Sequence, residues 1–152
     1  MDVSDGSPVL WICGPSGVGK TAVGWEIHSE LLRDGVEAAF VDIDQLGMCY
    51  PEPESDPGRY RMKGRNAGAV VTNFRAAGAR CVVISGVIDP IHGVPIEEFP
   101  NATLTVCWLA ARPDEIRHRF LSEPTRYSPT TRSLSVDASR SPKAAAISSA
   151  SA

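Results

Sequence analysis

Residues 14–21, with the sequence GPSGVGKT, place glycines, a lysine and a threonine at the spacing G-x-x-x-x-G-K-[ST]. Glycines let the backbone curl so that consecutive N–H groups point at one anion, and a following helix presents its positive end to that anion. In such a loop Lys20 would reach the β- and γ-phosphates of a nucleotide, and the Thr21 hydroxyl would bind Mg²⁺. The predicted nucleotide-binding residues in this segment are Gly14, Ser16, Gly17, Val18, Gly19, Lys20 and Thr21.

Two carboxylates follow the second apolar run of the chain. Asp42 and Asp44 lie two residues apart, directly after Val41. The carboxyl ends of parallel strands form the edge at which open α/β sheets bind ligands. A carboxylate there can hold Mg²⁺ through water or accept a proton from an attacking hydroxyl. We therefore expect Lys20, Asp42 and Asp44 to be the catalytic residues, with Asp44 also contacting the substrate.

Basic side chains between the second and third apolar runs could bind an anionic substrate. Arg61 and Arg65 lie four residues apart, on one face of a predicted helix. Asp89, which follows the third run, is a further candidate for the metal shell or the substrate pocket, although an aspartate before proline often only shapes a turn. Arg112, after the fourth run, could stack on a base or neutralise phosphate. A solvated helix face remains the alternative interpretation for the arginine pair.

The elements that must position these residues alternate between strand and helix. Short apolar runs predict strands at 9–13, 38–41, 81–85 and 104–109, each buried on both faces. Helical stretches lie between and after them at 22–33, 60–77 and 113–121, and Gly35 and Gly78 are predicted to end the first two. This alternation indicates an α/β fold with a parallel sheet.

The composition changes abruptly at Glu123. Residues 123–152 are rich in serine, alanine and threonine and contain few large apolar side chains. Such a segment buries too little surface to offset its ordering entropy. We therefore expect one domain at residues 1–122, followed by a largely disordered tail at 123–152.

Bulk properties exclude several classes of partner. The net charge of −3 over 152 residues gives no general attraction for nucleic acid or an anionic membrane. No apolar run approaches the length of a membrane span, and the acidic, polar start does not resemble a signal peptide. Four unpaired cysteines, at positions 13, 49, 81 and 107, suit reduced core residues of a cytoplasmic protein better than a zinc site. The three histidines are isolated, and we expect them on the surface or on helix faces.

Three segments together resemble the small P-loop kinases of the adenylylsulfate kinase and nucleotide kinase type. They are residues 14–21, the D-x-D of residues 42–44, and the stretch 55–90 with its arginine helix, central strand and following loop. A fourth stretch, 109–113, resembles the strand that leads into the family's lid. The resemblance covers residues 8–121 and implies a P-loop NTPase sheet with flanking helices, ATP and Mg²⁺ as cofactors, and transfer of phosphate to an adenylylsulfate- or nucleotide-like hydroxyl. The family's arginine-rich lid and fifth strand are not recognisable here.

Several functions are therefore compatible with the sequence. The leading hypothesis is an ATP-dependent kinase that acts on a small-molecule acceptor. A nucleotide-binding protein without turnover is the alternative that the missing lid favours, since a lid completes the catalytic site. A GTPase is less well supported, because residues 44–47 fit D-x-x-G but no N-K-x-D motif is present. The sequence fixes neither the acceptor nor the oligomeric state.

Overall fold

The structure, a computed structural model, describes residues 6–122. Its four strands are β1 (Ser7–Cys13), β2 (Ala38–Asp42), β3 (Cys81–Ser85) and β4 (Ala102–Trp108), and its three helices are α1 (Lys20–Arg33), α2 (Tyr60–Ala76) and α3 (Pro113–Ser122). Short 3₁₀ turns lie at Gln45–Gly47, Pro57–Arg59 and Ile96–Glu98. The tail predicted for residues 123–152 lies outside the described residues.

All four strands run parallel in the order β2-β3-β1-β4. β1 lies between β3 and β4, with Val9 beside Val82 on one side and beside Leu104 on the other. The predicted parallel α/β sheet is confirmed. Within residues 6–122 no fifth strand pairs with β4.

The core lies between the sheet and α2. Alternate residues of the central strands face the same side of a sheet, so apolar residues spaced two apart form one continuous layer. Trp11 is 1% exposed, and its ring packs edge-on against Phe99 at 5.9 Å between centroids. The buried members of this layer are Val9, Trp11, Cys13, Val41, Ile43, Ala67, Val71, Val82, Ile84 and Phe99.

Helix α1 lies close against β2 and β3. A Cβ atom on Gly24 would lie 3.0 Å from the Phe40 ring and 3.3 Å from the Ser85 Cβ. The absence of a side chain at position 24 therefore allows the close approach. Because α1 follows the glycine-rich segment directly, this packing also holds the start of the helix near the carboxyl ends of the strands.

Helices α1 and α2 end at the predicted glycines. Gly35 has φ 75° and Gly78 has φ 107°, conformations that side chains other than glycine rarely adopt. After α1, the N–H groups of Gly35 and Val36 bond to the carbonyls of Leu32 and Leu31, which is the Schellman pattern. The N–H groups of residues 78 and 79 do the same after α2. No helix within residues 6–122 is long and apolar enough to span a membrane.

Strand β4 differs from the expectation that every strand is buried on both faces. It lies at the edge of the described sheet, and Val106 and Trp108 are 45% and 67% exposed. The prediction that the cysteines are core residues is wrong for Cys107, which is exposed on this strand, and for Cys49, which lies in an exposed loop. Only Cys13 is fully buried. Apolar character alone does not reveal which strand lies at an edge.

The start of α2 is held by a carboxylate that precedes it. Asp56 is buried and accepts hydrogen bonds from the backbone N–H groups of Arg61 (3.1 Å) and Met62 (3.0 Å). Burial opposes ionisation of this carboxyl group. The two N–H groups and the Arg61 guanidinium outweigh that effect, so the pKa of Asp56 lies below its ordinary value.

We expect Asp56→Ala to lower the free energy of unfolding by about 1 kcal/mol, the usual cost of losing a helix cap. Because the pKa of Asp56 is lowered on folding, its contribution is present at neutral pH and is lost as the pH falls below about 4. Urea unfolding of both proteins across this range would measure the difference. A wild-type advantage that stays constant at acid pH would contradict the role of the ionised carboxylate.

Candidate active site

Residues 14–21, called the phosphate loop below, connect β1 to α1. Gly14, Gly17 and Gly19 have φ values of 145°, 78° and 100°, so each glycine of the motif adopts a conformation that favours glycine. Gly14 also lies close to β4, since a Cβ there would be 2.4 Å from the Leu109 carbonyl oxygen. The backbone path of the loop therefore favours glycine at these three positions.

The two reactive side chains of the loop begin α1. Lys20 is only 8% exposed, and its Nζ donates a hydrogen bond to the Pro15 carbonyl oxygen at 2.9 Å. This bond holds the lysine side chain against the backbone of the loop. No acidic residue lies in the first turn of α1, and no side chain caps the helix. The positive end of the helix therefore remains available for an anion.

Among the other loop residues, Val18 differs from Ser16 and Gly17 in burial. Ser16 and Gly17 are exposed, whereas the Val18 side chain is buried against the domain. The Val18 N–H lies 3.4 Å from the Pro15 carbonyl oxygen, closing a turn. Val18 therefore anchors the loop while its neighbours face solvent.

Asp42 joins the end of β2 to the phosphate loop. Its Oδ2 accepts a hydrogen bond from the Thr21 hydroxyl at 2.8 Å, and its Oδ1 accepts one from the Asp44 N–H at 3.0 Å. β2 brings this carboxylate to the strand edge from which the loop emerges. Thr21 and Asp42 are therefore in contact, at the sheet edge where the sequence places them.

Thr21 and Asp42 together suit a magnesium ion. Their hydroxyl and carboxylate are hard oxygen donors already in contact. Among the described residues, no group of three or more His, Cys, Asp or Glu could hold a metal alone. Mg²⁺ at nucleotide sites is held by one or two protein oxygens together with phosphates and water, so this sparse donor set fits.

Asp44 turns away from Asp42 toward α2. Its Oδ1 forms an ion pair with Lys63 Nζ at 3.2 Å, and the Lys63 side chain is only 15% exposed. Lys63 Nζ also lies 5.6 Å from the centroid of the Tyr60 ring. The two carboxylates of the D-x-D segment therefore have different neighbours, one on the loop and one on α2.

A cavity of about 230 Å³ lies beside Lys63. Its apolar lining includes the buried core residues Trp11 and Ile43, together with Ile88 and Val94. Its charged and polar lining residues are Tyr60, Arg61, Lys63, Asp89, His92 and Glu97. An apolar interior with a few polar groups is the usual composition of a small-molecule site.

Arg61 and Arg65 have different partners. Arg61 lines the cavity, and its Nη2 donates to the Ser55 carbonyl oxygen at 2.7 Å. Arg65 does not line the cavity. Its guanidinium is 3.7 Å from the Glu98 carboxylate, and its side chain is 74% exposed. The spacing correctly gives one helix face, but the 3₁₀ turn containing Glu98 engages the second arginine.

Arg112 follows β4, as expected, but acidic side chains surround its guanidinium. Nη2 lies 3.1 Å from Glu115 and 3.7 Å from Asp114, and the side chain is 74% exposed. Its predicted contact with a nucleotide would require at least one of these ion pairs to open.

Asp89 lines the cavity and organises the loop after β3. Its Oδ1 accepts the N–H groups of Ile91 and His92 at 2.8 and 3.2 Å, and its Oδ2 lies 2.8 Å from His92 Nδ1. Burial opposes ionisation of Asp89. The bonds from Ile91 and from the His92 ring outweigh that effect, so the pKa of Asp89 lies below its ordinary value.

Sequence reasoning missed His92 and gave Lys63 and Tyr60 no specific role. Lys63 and Tyr60 belong to the stretch that resembles the kinase acceptor helix, so their position on α2 was a usable signal. His92 gave no such signal, because it lies in a loop and its proximity to the cavity depends on the Asp89 turn.

Comparison with curated proteins finds two Lon proteases. The Lon protease of Paraburkholderia phytofirmans is 35% identical over 94 residues, which are 59% of this chain and 11% of the relative. That of Methylocella silvestris is 30% identical over 128 residues, 76% of this chain and 15% of the relative. The chain thus spans no more than about a seventh of either relative. No family model matches the chain.

Solved structures are matched over a larger share of their own length. An APS kinase of Mycobacterium tuberculosis, in complex with AMPPNP and APS, has a TM-score of 0.55 at 20% identity and covers 75% of this chain and 68% of its own. A sugar kinase from Janibacter sp. has a TM-score of 0.53 at 16% identity, with coverage of 82% and 72%. Kti12 of Chaetomium thermophilum, in complex with ADP-AlF3, has a TM-score of 0.52 at 17% identity, with coverage of 77% and 69%. Together with the parallel sheet and the glycine-rich loop of residues 14–21, these similarities show that the chain has the fold of the P-loop kinases.

Proposed function

We propose that this chain binds ATP and transfers its γ-phosphoryl group to a hydroxyl of a small molecule. One observation carries the proposal: a continuous line of contacts runs from the phosphate loop to the cavity. Thr21 bonds to Asp42, Asp42 to the Asp44 backbone, and Asp44 to Lys63, which lines the cavity. ATP bound at the loop and a small-molecule acceptor bound in the cavity would therefore meet at the D-x-D segment.

The residues divide the work of phosphoryl transfer. The loop N–H groups and Lys20 bind and orient the phosphates of ATP, and Thr21 and Asp42 would hold Mg²⁺. When bound, Mg²⁺ neutralises charge that develops on the phosphate oxygens. The oxygen of the acceptor hydroxyl bonds to the γ-phosphorus, and Asp44 accepts the proton of that hydroxyl. The bond from the γ-phosphorus to the β-phosphate oxygen breaks at the same time, which releases ADP.

The cavity supports an acceptor with an apolar body and an anionic group. Trp11, Ile43 and Ile88 provide apolar surface, while Arg61 and Lys63 provide positive charge beside it. An adenylylsulfate- or nucleotide-like molecule has both properties. A polyhydroxylated sugar would leave its hydroxyl groups without partners on the apolar lining.

Nucleotide binding without turnover is a second candidate that one observation favours. The ion pairs of Arg112 with Glu115 and Asp114 occupy the guanidinium that would otherwise neutralise the transferring phosphate. If they persist with ATP bound, the transition state loses one source of positive charge.

An assay of product formation distinguishes the two candidates. The purified chain is incubated with radiolabelled Mg-ATP and a panel containing adenylylsulfate, nucleosides and sugars. We expect label to transfer to an anionic acceptor with an apolar body and not to simple sugars. Lys20→Ala provides the inactive control. Stabilisation by Mg-ATP without transfer to any member of a broad panel would favour the binding protein.

A further inference from the structure

The Asp89 turn fixes the proton arrangement of the His92 ring. An ionised carboxylate only accepts hydrogen bonds, so the 2.8 Å contact to Asp89 Oδ2 assigns a proton to Nδ1. Nε2 is then the remaining polar atom of the ring, and it has no hydrogen bond within residues 6–122. The Asp89 side chain is only 14% exposed, whereas that of His92 is 78% exposed. The turn therefore presents a ring of fixed tautomer at the cavity.

Protonation changes what this ring can bind. In the neutral form Nε2 carries a lone pair and repels an anion, whereas in the charged form it carries an N–H that donates to one. Histidine is the side chain whose charge ordinarily changes between about pH 5 and pH 8. Because the Nδ1 proton is held by Asp89, the ring gains or loses its second proton at Nε2.

Charged groups of both signs surround His92 in the cavity. Asp89 and Glu97 are the acidic groups that line the cavity with His92, and Arg61 and Lys63 are the basic ones. The titratable and charged groups that line this cavity and its smaller neighbour around Asp56 are Asp56, Tyr60, Arg61, Lys63, Asp89 and Glu97. The two cations of α2 that line the cavity each have a partner, Arg61 at the Ser55 carbonyl and Lys63 at Asp44. His92 is the imidazole that lines both cavities beside these groups, and histidine is the side chain whose charge ordinarily changes near neutral pH.

We propose that His92, oriented by Asp89, binds an oxyanion group of the acceptor and does so only when the imidazole is protonated. The inference rests on the proposed function, since it assigns a residue and a chemical feature to the acceptor of that reaction. The feature is a sulfate, phosphate or carboxylate group attached to the apolar body of the acceptor. Affinity for such an acceptor therefore falls as the pH rises through the titration of the ring.

Inorganic sulfate provides a probe whose own charge is constant in this range. The imidazole NMR signals of the chain are followed against pH with and without sulfate, and His92→Gln assigns the His92 signal. We expect sulfate to raise the titration midpoint of His92, and the dissociation constant of sulfate at this site to increase about tenfold from about pH 6 to about pH 8. Repeating the titration in Lys20→Ala removes binding at the phosphate loop as the source.

Matched variants separate a site from a general effect of salt. His118→Gln leaves the cavity unchanged, so the effect of sulfate on His92 should persist. Asp89→Asn removes the carboxylate that assigns the tautomer, so the effect should weaken. Equal shifts at all three histidines, or no shift at His92, would overturn the proposal.

Stabilisation by Mg-ATP is measured on the same samples and reports on the phosphate loop alone. A chain that is stabilised by Mg-ATP but shows no sulfate effect at His92 would refute the role of His92 and leave the proposed function standing. A sulfate effect without any stabilisation by Mg-ATP would refute the proposed function, and the anion site at His92 would remain.

Discussion

Lys20→Ala is expected to abolish the stabilisation of this chain by Mg-ATP. A ligand that binds only the folded state at about 100 times its dissociation constant stabilises that state by about 2.7 kcal/mol. In the proposed complex Lys20 would provide the positive charge for the β- and γ-phosphates. In the structure its Nζ donates a hydrogen bond to the Pro15 carbonyl oxygen. Without it the loop retains its N–H groups but loses the charge that compensates the phosphates.

Thermal unfolding with and without Mg-ATP measures this effect directly. The unliganded variant should remain folded, because the only described hydrogen bond that the Lys20 side chain loses is the partly buried one to the Pro15 carbonyl oxygen, worth about 1 kcal/mol. Arg80→Ala is a suitable control, since it also removes a positive charge but lies beside the amino end of β3. An unchanged Mg-ATP shift in Lys20→Ala would place the nucleotide somewhere other than residues 14–21.

The parts of the fold that follow local rules were predicted from the sequence. β3 has the predicted bounds, Cys81–Ser85, and α1 and α2 end just before Gly35 and Gly78 as expected. Each of these features is encoded within a few neighbouring residues, as an apolar run or a glycine that accepts a positive φ. The phosphate loop belongs to the same class, because its glycines lie at the positions where φ is positive.

The parts that depend on distant segments were not predicted. Arg65 lies on the expected helix face, but Glu98, which is 33 residues further along the chain, determines its partner. The exposure of Cys107 follows from the place of β4 at the sheet edge, which the order of strands along the chain does not specify. His92 reaches the cavity through a turn made by Asp89. No periodic pattern in the sequence encodes contacts of this kind.

The D-x-D segment shows how the structure refines a motif. The sequence gives Asp42 and Asp44 the same two possible roles, metal binding and proton transfer. Asp42 contacts Thr21 on the phosphate loop, whereas Asp44 contacts Lys63 beside the cavity. In the proposed reaction Asp42 would therefore bind the metal and nucleotide, and Asp44 would accept the proton of the acceptor. This division of roles predicts different consequences for the two substitutions.

Asp44→Asn is expected to lower the rate of phosphate transfer about 100- to 10,000-fold, the usual contribution of a general base. It should leave stabilisation by Mg-ATP unchanged, because the asparagine backbone N–H still donates to Asp42 Oδ1. Asp42→Asn should instead reduce that stabilisation, since the carboxylate beside Thr21 loses its charge. Transfer assays and thermal unfolding on both variants, with Asp34→Asn as a control at the end of α1, test the assignment. Wild-type turnover in Asp44→Asn would exclude it as the base, and equal loss of Mg-ATP stabilisation in both variants would show that the two carboxylates act as one unit.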